Sequence, residues 1–400
     1  MNLGAGIYRT KLPTGFSAGG VNCGVRRFRP DLGMIISEKD CVTTAVFTQN
    51  ACQAAPIQYC KALLPANNIR AIITNSGQAN AATGDIGIIN NQLMADVTAS
   101  ALSCASNQVL TASTGVIGAQ LEIDKIVDSI ELLVKGVSNV AEKFALAILT
   151  TDLVPKTVYK EITIGGKPVH ITGICKGSGM IHPNMATMLG YILTDAAISM
   201  EKSTQILKHA CDKSFNMISV DADPSTNDCV FMMANGCSGV AISHEQDLAL
   251  FANAVEEIMV ELAKSIARDG EGASKLIEVT VQGLDDETLA KKIARSVTTS
   301  SLVKTAIYGE SPNWGRILAK LGNEGVTSEQ LHQCDIGIQN VWVFKQGAPV
   351  LDEQLDSLKE KMKEDTVCIT IDFNQGGKSA TAWGCDLTEK YVKINAEYLS

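Results

Sequence analysis

Apolar and polar residues recur along this chain in two patterns, and together they predict a mixed α/β protein. Helical spacing is clearest in residues 123–133, where isoleucine and leucine recur every three or four positions before Gly136 stops the helix. Residues 248–267 show the same spacing over a longer stretch. Further helices are predicted at residues 91–103, 141–149, 202–214 and 351–364.

Short apolar runs that end at glycine or at polar turns predict the strands. A hairpin is expected where the strands 158–164 and 169–174 flank Gly165-Gly166. Residues 188–193 are apolar apart from one glycine, which is typical of a buried strand. Two further predicted strands form the first part of the stretches 71–84 and 108–118, each of which ends in a turn. The other predicted strands are residues 34–37, 42–47, 277–281, 341–344 and 367–373.

The composition adds size and surface chemistry to this picture. Four hundred residues, 46% hydrophobic and 19% charged, suffice for a large core in more than one layered unit. The net charge of −9 argues against a nucleic-acid partner, because binding phosphates requires clustered lysine and arginine. The notable basic cluster, Arg26-Arg27 with Arg29, is short, and we interpret it as a solvated turn.

The twelve cysteines indicate a reducing compartment. No pair has Cys-x-x-Cys spacing, and no cysteine or histidine group has the spacing of zinc ligands, so we predict reduced, buried thiols and no metal. Residues 1–8 lack the apolar core of a signal peptide, and no apolar run reaches the length of a membrane span. We therefore expect a cytoplasmic protein without a membrane partner.

Motifs of several other enzyme classes are present only in part. Gly376-Gly-Lys-Ser379 resembles the end of a phosphate-binding loop, but the position of the first glycine is occupied by Asp372. Ser301-Leu-Val-Lys304 matches Ser-x-x-Lys without the partner motifs of the β-lactamases. The five histidines are scattered, which indicates neither a Ser-His-Asp triad nor a histidine metal site, and we interpret His182 as structural.

One stretch offers a candidate nucleophile, Lys176-Gly-Ser-Gly-Met-Ile-His-Pro-Asn-Met-Ala-Thr-Met-Leu-Gly190. Thr187 lies where the predicted strand 188–193 begins, after a glycine-rich approach. A threonine at this place is either a nucleophile or an ordinary β-branched residue that opens a strand. Residue type alone does not decide between the two.

The residues around Thr187 resemble the cleavage-site signature of the ornithine acetyltransferase family, the bifunctional glutamate N-acetyltransferase/ornithine acetyltransferases of arginine biosynthesis. The resemblance continues in the runs Asn75-Ser-Gly-Gln-Ala-Asn-Ala81 and Ser113-Thr-Gly-Val-Ile-Gly118 and in residues 301–316. It implies that the chain cuts itself between Ala186 and Thr187, giving fragments 1–186 and 187–400. The freed Thr187 is then the nucleophile, and its own α-amino group, whose ordinary pKa is about 7.7–8.0, can act as the base.

The same resemblance implies a reaction and a set of site residues. Thr187 would take the acetyl group of N2-acetyl-L-ornithine, release ornithine and pass the acetyl group to L-glutamate. Thr114 and Gly115 would form the oxyanion hole. Substrate contacts are implied for Thr150, Lys176, Thr187, Glu271, Asn395 and Ser400. Ser400 departs from the threonine that the family usually has there, but it keeps a hydroxyl.

Fold, assembly and cofactor use also follow from the resemblance. It implies a layered αββα-type sandwich and a heterotetramer of two α (1–186) and two β (187–400) fragments. No cofactor is expected, and whether acetyl-CoA also donates an acetyl group stays open. Two other functions stay open as well: a related self-cleaving aminopeptidase, which passes the acyl group to water, and a non-catalytic amino-acid sensor on the same scaffold.

Overall fold

Two β-sheets form the framework of the protein in the computed structural model, which describes residues 10–182, 188–350 and 354–397. The strands are, in chain order, β1 Phe16–Val21, β2 Leu32–Phe47, β3 Ala66–Gln78, β4 Val109–Val116, β5 Lys156–Ile164, β6 Lys167–Lys176, β7 Leu189–Thr194, β8 Ile218–Ser219, β9 Cys229–Ala234, β10 Leu276–Leu284, β11 Asp335–Ile338, β12 Val341–Lys345, β13 Ala348–Pro349, β14 Thr366–Asp372 and β15 Lys378–Cys385.

Helices connect and cover these strands. In chain order they are α1 Ala55–Leu63, α2 Gly84–Leu102, α3 Ile123–Lys135, α4 Glu142–Ala147, α5 Met200–Lys213, α6 Glu245–Arg268, α7 Glu287–Thr299, α8 Ser301–Tyr308, α9 Trp314–Gly322, α10 Ser328–Gln333, α11 Gln354–Lys361 and α12 Glu389–Glu397. Short 3₁₀ turns lie at Ser106–Gln108 and Phe215–Met217.

The first sheet has the strand order β4-β3-β2-β9-β7-β6-β5, with β1 paired to β2. Strands β7 and β9 are parallel neighbours in the middle of this sheet. On the outer side of each, β9 pairs with β2 and β7 pairs with β6, both in antiparallel fashion. Since β2 and β6 precede residue 187 and β7 and β9 follow it, the middle of this sheet combines both sides of the predicted cut.

Helix α6 joins the first sheet to the second. The second sheet has the order β13-β12-β11-β14-β10-β15-β8. The helix contacts β5 and β6 of the first sheet and β10 and β15 of the second, and its apolar face, with Phe251, Val255 and Leu262, is buried. Burial of such a face is the main stabilising contribution that an amphipathic helix makes. The predicted α/β class, with two sheets and packed helices, is confirmed.

Strand β2 corrects one prediction of the hydrophobic pattern. The pattern predicted two strands, 34–37 and 42–47, because the polar residues Glu38, Lys39 and Asp40 interrupt it. The structure has one sixteen-residue strand with these three side chains exposed and an irregular register between Ile36 and Cys41. Strand β3 pairs with β2 on both sides of the interruption, whereas β1 pairs only with residues 32–37 and β9 only with residues 42–47, so one of the two neighbours of β2 changes there.

Most other predicted elements are present with shifted ends. The β5–β6 hairpin turns at Gly165-Gly166, both at positive φ, and the predicted helix 91–103 begins earlier, at Gly84. The predicted helix 351–364 is described from Gln354 to Lys361. Pattern analysis missed several elements, namely α1, α7, α8, α9, α10, α12, β1, β8, β9, β11, β13 and β15.

All twelve cysteines are unpaired, which confirms the prediction of free thiols. Seven of them are buried, and burial raises the pKa of Cys41 and Cys60 to about 12. Cys52 is exposed, so not every thiol serves as a small buried hydrophobe. Among the described helices, none combines the length and the apolarity that crossing a bilayer requires.

Candidate active site

A cavity of about 250 Å³ lies at one end of the first sheet, and we call it the Thr114 cavity. Eight different parts of the chain supply its wall: the ends of β4 and β6, the start of β7, the loops after β3, α4 and α6, the loop before β9, and helix α12. Its lining includes every predicted site residue that the structure describes, namely Thr114, Gly115, Thr150, Lys176, Glu271 and Asn395. These residues are up to 281 positions apart in sequence, so only the fold brings them together.

The predicted nucleophile lies outside the described residues, as do Ala186 and Ser400. Its neighbour Met188 is described and lines the Thr114 cavity. The carbonyl oxygen of Met188 accepts a hydrogen bond of 3.1 Å from the N–H of Cys229, and Leu189 then opens β7. The chain therefore resumes after residue 187 at the cavity wall.

The end of β4 requires glycine at position 115. Gly115 has φ +132°, and it pairs with Gly77 in the parallel β3–β4 ladder. A Cβ atom at residue 115 would lie 2.3 Å from the carbonyl carbon of Gly77, far closer than atoms pack. Only glycine allows both this backbone angle and this approach of the two strands. The backbone N–H of Gly115 and the hydroxyl of Thr114 are thereby held at the cavity.

Lys176, the last residue of β6, brings a buried cation to the same wall. Its Nζ lies 2.6 Å from Oγ1 of Thr150 and 3.5 Å from Oγ1 of Thr114, and 3.6 Å from Oδ2 of Asp152. The side chain is only 10% exposed, so its charge is poorly screened by water. The cavity wall therefore favours an anion or a developing negative charge.

Behind Lys176 lies a buried ionic network that the sequence did not indicate. Oδ1 of Asp152 accepts from Nζ of Lys156 at 2.8 Å and from the N–H of Gly177 at 2.7 Å, and Oδ2 accepts from the N–H of Thr150 at 3.1 Å. Nζ of Lys156 also meets Oδ2 of Asp269 at 2.6 Å. These contacts tie the Thr150 loop, the end of β6 and the end of α6 together.

The charges of this network stabilise one another. Burial disfavours the ionised form of Asp152, yet the ammonium groups of Lys176 and Lys156 and the N–H of Gly177 hold the pKa of that carboxyl well below its usual range. Burial likewise opposes the charge of Lys156, but the carboxylates of Asp152 and Asp269 outweigh it and raise the pKa of the lysine. Removing one member leaves the others as unbalanced buried charges.

Glu271 supplies the negative end of the cavity. Its Oε2 accepts a 2.9 Å hydrogen bond from Nδ2 of Asn395, whose amide also donates to the carbonyl of Tyr391 at 3.1 Å. Gly179 leaves room for this carboxylate, because a Cβ atom there would lie 2.3 Å from Cδ of Glu271. One wall thus carries a cation and another a carboxylate, an arrangement that suits an amino acid with a charged side chain.

The segment that leads from β6 toward the predicted cut is held by residues that follow residue 187 in the chain. Oδ2 and Oδ1 of Asp221 accept from the N–H groups of Met180 and Ile181, each at 2.7 Å. The hydroxyl of Ser178 donates to the carbonyl of Asp269 at 2.7 Å. Met180 has φ +57°, a strained angle for a residue other than glycine, which these bonds help to maintain.

His182, at the end of this segment, has neighbours that agree with a structural role. Nδ1 lies 3.1 Å from the hydroxyl of Ser219, and Nε2 lies 3.3 Å from a guanidinium nitrogen of Arg295. Burial and the Arg295 charge lower the pKa of His182. The histidine is not among the residues that line the Thr114 cavity.

Arg26 corrects the interpretation of the basic cluster. Arg27 and Arg29 are exposed, as expected of a solvated turn, but Arg26 is half-buried. Its guanidinium donates to the carbonyl of Leu149 and, at 3.3 Å, to the carbonyl of Thr150. Its side chain also packs over Gly77, next to the end of β4. Arg26 therefore fixes the loop that carries Thr150.

Asn227 is another residue that sequence analysis missed. It lines the Thr114 cavity, and its amide donates to the carbonyls of Ala79 and, at 2.8 Å, Ser113. It thereby holds the end of β4 against the loop after β3. Nothing in its local sequence signals this role, because both partners are more than 110 positions away.

Comparison with known proteins places the chain in a family. The ArgJ family model matches residues 17–400. Arginine biosynthesis bifunctional protein ArgJ of Thermotoga neapolitana is 46% identical over 395 residues, covering 97% of this chain and 99% of that protein. The chloroplastic ArgJ of Oryza sativa subsp. indica is 45% identical over 397 residues, covering 96% of this chain and 86% of that protein.

A solved structure extends the comparison to the fold. The crystal structure of arginine biosynthesis bifunctional protein argJ from Bacillus halodurans is 40% identical and gives a TM-score of 0.51, matching 53% of this chain and the whole of that chain. The family match includes every described residue that lines the Thr114 cavity. By the length of that match and by its similarity to full-length relatives, this chain belongs to the ArgJ family.

Proposed function

We propose that this protein is an acetyltransferase of arginine biosynthesis, which moves the acetyl group of N2-acetyl-L-ornithine to L-glutamate. The observation that carries the proposal is the Thr114 cavity, where hydroxyl and backbone donors, a cation and a carboxylate from distant parts of the chain meet beside Met188. Similarity of 45–46% to arginine biosynthesis bifunctional proteins over nearly the full length favours this reaction over the aminopeptidase and the sensor.

Thr187 is the proposed nucleophile, made available by self-cleavage between Ala186 and Thr187. While residue 187 is acylated on its nitrogen, that nitrogen cannot accept the proton of the hydroxyl, whereas a free α-amino group can. The half-length Bacillus halodurans chain supports a cut here. All of it corresponds to 53% of this chain, and residues 187–400 are 214 of the 400 residues, about the same share.

The reaction then runs in two balanced steps. Oγ1 of Thr187 forms a bond to the acetyl carbon while its proton passes to the α-amino group, and the carbonyl electrons move onto the oxygen. Collapse breaks the bond to the ornithine nitrogen, which takes the proton, and leaves an acetyl-Thr187 ester. The neutral amine of glutamate then forms a bond to the acetyl carbon, and its proton passes to the α-amino group of Thr187. Collapse breaks the ester bond to Oγ1, which takes that proton, so that acetylglutamate and the free Thr187 hydroxyl result.

Thr114 and Gly115 are the proposed donors to the oxygen that becomes negative. Such donors each lower a barrier by about 3–4 kcal/mol when they are fixed before the reaction. Gly115 meets that condition because its strand cannot move without separating from Gly77. Glu271, held by Asn395, is the proposed partner of the ornithine side-chain ammonium. Lys176 adds positive charge at another wall of the cavity. Ser400 completes the proposed substrate contacts.

Further features of the protein are proposed with the reaction. No cofactor takes part, and acetyl-CoA is a second acetyl donor to be tested. We place the enzyme in the cytoplasm as a heterotetramer of two fragments 1–186 and two fragments 187–400. Light scattering on the eluted protein would then give about twice the 42.5 kDa mass of one chain. A mass equal to one chain would refute the assembly and leave the reaction untouched.

Intact mass and donor assays on three proteins test the nucleophile. Wild type and Thr187→Ser should consist of two fragments and transfer acetyl from N2-acetyl-L-ornithine to glutamate, because both keep a hydroxyl and a free amine. Thr187→Ala should remain one chain without activity. If Thr187→Ala is cut and turns over, the nucleophile is wrong. If the wild type releases acetate faster than acetylglutamate, the hydrolase alternative is favoured.

A further inference from the structure

The ammonium group of Lys176 is directed at three protein oxygens. They are Oγ1 of Thr150 at 2.6 Å, Oγ1 of Thr114 at 3.5 Å and Oδ2 of Asp152 at 3.6 Å. An ammonium group has three N–H donors and no acceptor. The contact with Thr150 is a short hydrogen bond, that with Thr114 is a long one, and Asp152 is an ion-pair partner. The charge of Lys176 therefore acts on a substrate through the two threonines.

This arrangement decides which way the two hydroxyls point. A threonine hydroxyl has one hydrogen and two lone pairs, and toward a lysine it can only accept. The hydrogens of Thr114 and Thr150 must then point away from Lys176. Among the described residues, neither hydroxyl meets a protein acceptor for its hydrogen. Both side chains line the Thr114 cavity, and their oxygens lie within about 6 Å of each other.

Lys176 itself is fixed from behind. The side chain of Asp152 is fully buried, and it also accepts hydrogen bonds from the N–H groups of Thr150 and of Gly177, which follows Lys176 in the chain. Lys156 and Asp269 hold Asp152 in turn. The carbonyl of Thr150 is bonded by Arg26 at 3.3 Å. A donor fixed in this way needs little reorganisation when charge develops, which is the condition for strong stabilisation.

We propose that Lys176 is a positioning residue that turns the hydroxyls of Thr114 and Thr150 into donors toward the acyl oxygen, with Thr150 as a further oxyanion donor. The inference rests on the proposed function. As the bond from Oγ1 of Thr187 to the acyl carbon forms, the carbonyl electron pair moves onto the oxygen, and both hydroxyls donate to it without losing their protons. This differs from a direct contact between Lys176 and a substrate carboxylate.

The two roles of Lys176 predict different kinetics. A residue that acts on the oxyanion changes kcat, whereas a residue that binds the substrate carboxylate equally in the ground and transition states changes KM. We expect Lys176→Met and Thr150→Val to lower kcat about a hundredfold, with both KM values within about threefold of wild type. Thr150→Ser should restore kcat to within about threefold. Lys176→Met with Thr150→Val should be no slower than Lys176→Met alone, because Thr150→Val removes a hydroxyl that the loss of Lys176 has already left unoriented.

Two matched substitutions control for the change of residue type. Lys167→Met and Thr163→Val alter exposed side chains at the hairpin end of β5–β6, away from the cavity, and should leave both constants unchanged. For every variant, the measured kcat is divided by the fraction of the protein that intact mass shows to be cut. A variant that stays uncut is scored by the rate at which its precursor is cut, since attack on that carbonyl needs the same donors.

The opposite result would overturn the inference. If Lys176→Met keeps kcat and raises KM for both substrates at least tenfold, the lysine binds the carboxylate directly. If Thr150→Val equals Thr150→Ser in kcat, Thr150 is no oxyanion donor. Either result with an active wild type refutes only this role, whereas a wild type that transfers no acetyl group refutes the proposed function.

Discussion

The substitution Gly115→Ala tests the steric argument on which the proposed oxyanion hole depends. The new Cβ atom would lie 2.3 Å from the carbonyl carbon and 2.5 Å from the carbonyl oxygen of Gly77, where ordinary contacts are 3.4–4 Å. Relief requires β3 and β4 to part by about 1 Å, because the obstructing atoms are backbone and cannot rotate away. Backbone strain at φ +132° adds to this cost.

The expected loss can be estimated from these two contributions. A strained angle costs about 1–3 kcal/mol and overpacking about 1–3 kcal/mol, so the free energy of unfolding should fall by about 2–6 kcal/mol. A shift of about 1 Å in an oxyanion donor also lowers kcat about a hundredfold or more. Denaturant titration measures the first quantity and the acetyl-transfer assay the second.

Gly118→Ala is the matched control. Gly118 lies in the turn after β4 and also has positive φ, +82°, but a Cβ atom there meets nothing within 4 Å. It should lose only about 1–2 kcal/mol of stability and keep its activity. The steric reasoning fails if Gly115→Ala and Gly118→Ala are equally stable within about 0.5 kcal/mol and transfer acetyl at equal rates.

Three further substitutions test the surroundings of the cavity. Asp152→Asn should lower the free energy of unfolding by about 3–5 kcal/mol at pH 7, because it unbalances buried charges. Since folding depresses the pKa of Asp152, the stability that this carboxylate contributes is present above about pH 4 and is lost as the pH falls further. The stabilities of wild type and variant should therefore converge in acid denaturation curves. Glu271→Gln should raise KM for N2-acetyl-L-ornithine about tenfold or more and KM for glutamate less, because only ornithine carries the side-chain ammonium. Substitution of the exposed Glu131 by glutamine is the control. Equal changes in KM for both substrates would contradict the assignment. Gly179→Ala should displace the flexible Glu271 carboxylate and raise KM for N2-acetyl-L-ornithine, while the free energy of unfolding changes by less than about 1 kcal/mol. The control is Gly322→Ala, whose new Cβ atom meets nothing within 4 Å. An unchanged KM would show that Glu271 does not need the space beside Gly179.

The site residues divide by how far their role depends on distant partners. Thr114, Gly115 and Thr150 lie at turns after predicted elements, and a family signature in the sequence pointed to them. Asp152, Arg26 and Asn227 have no local signature for their role at the cavity, because Lys176, Leu149 and Ala79, which they respectively contact, lie 24, 123 and 148 positions away. A hydrophobic pattern reports which face of an element is buried. It does not report which polar side chain will meet a backbone carbonyl from another element.

The same limit explains the errors in the fold. Polar residues Glu38 to Asp40 lie at the exposed point where one neighbour of β2 changes from β1 to β9, so a local pattern showed two strands. Strand β9 is buried on both faces between β2 and β7, and its uniform run Cys229–Ala234 shows no alternation that would mark it as a strand. Both errors arise where the sheet combines segments from distant parts of the chain.

This interleaved sheet also accounts for how a cut chain could keep its cavity. Strands β7 and β9 are paired to β6 and β2 over six residues each, and all four strands lie inside the first sheet. A break between residues 186 and 187 would sever only the connection from β6 to β7, whose first pair joins Lys176 to Leu189. Lys176, Thr114 and Thr150 would then belong to one fragment, and Met188, Glu271 and Asn395 to the other. The ladder that would hold the fragments together would therefore also keep the two halves of the cavity in register.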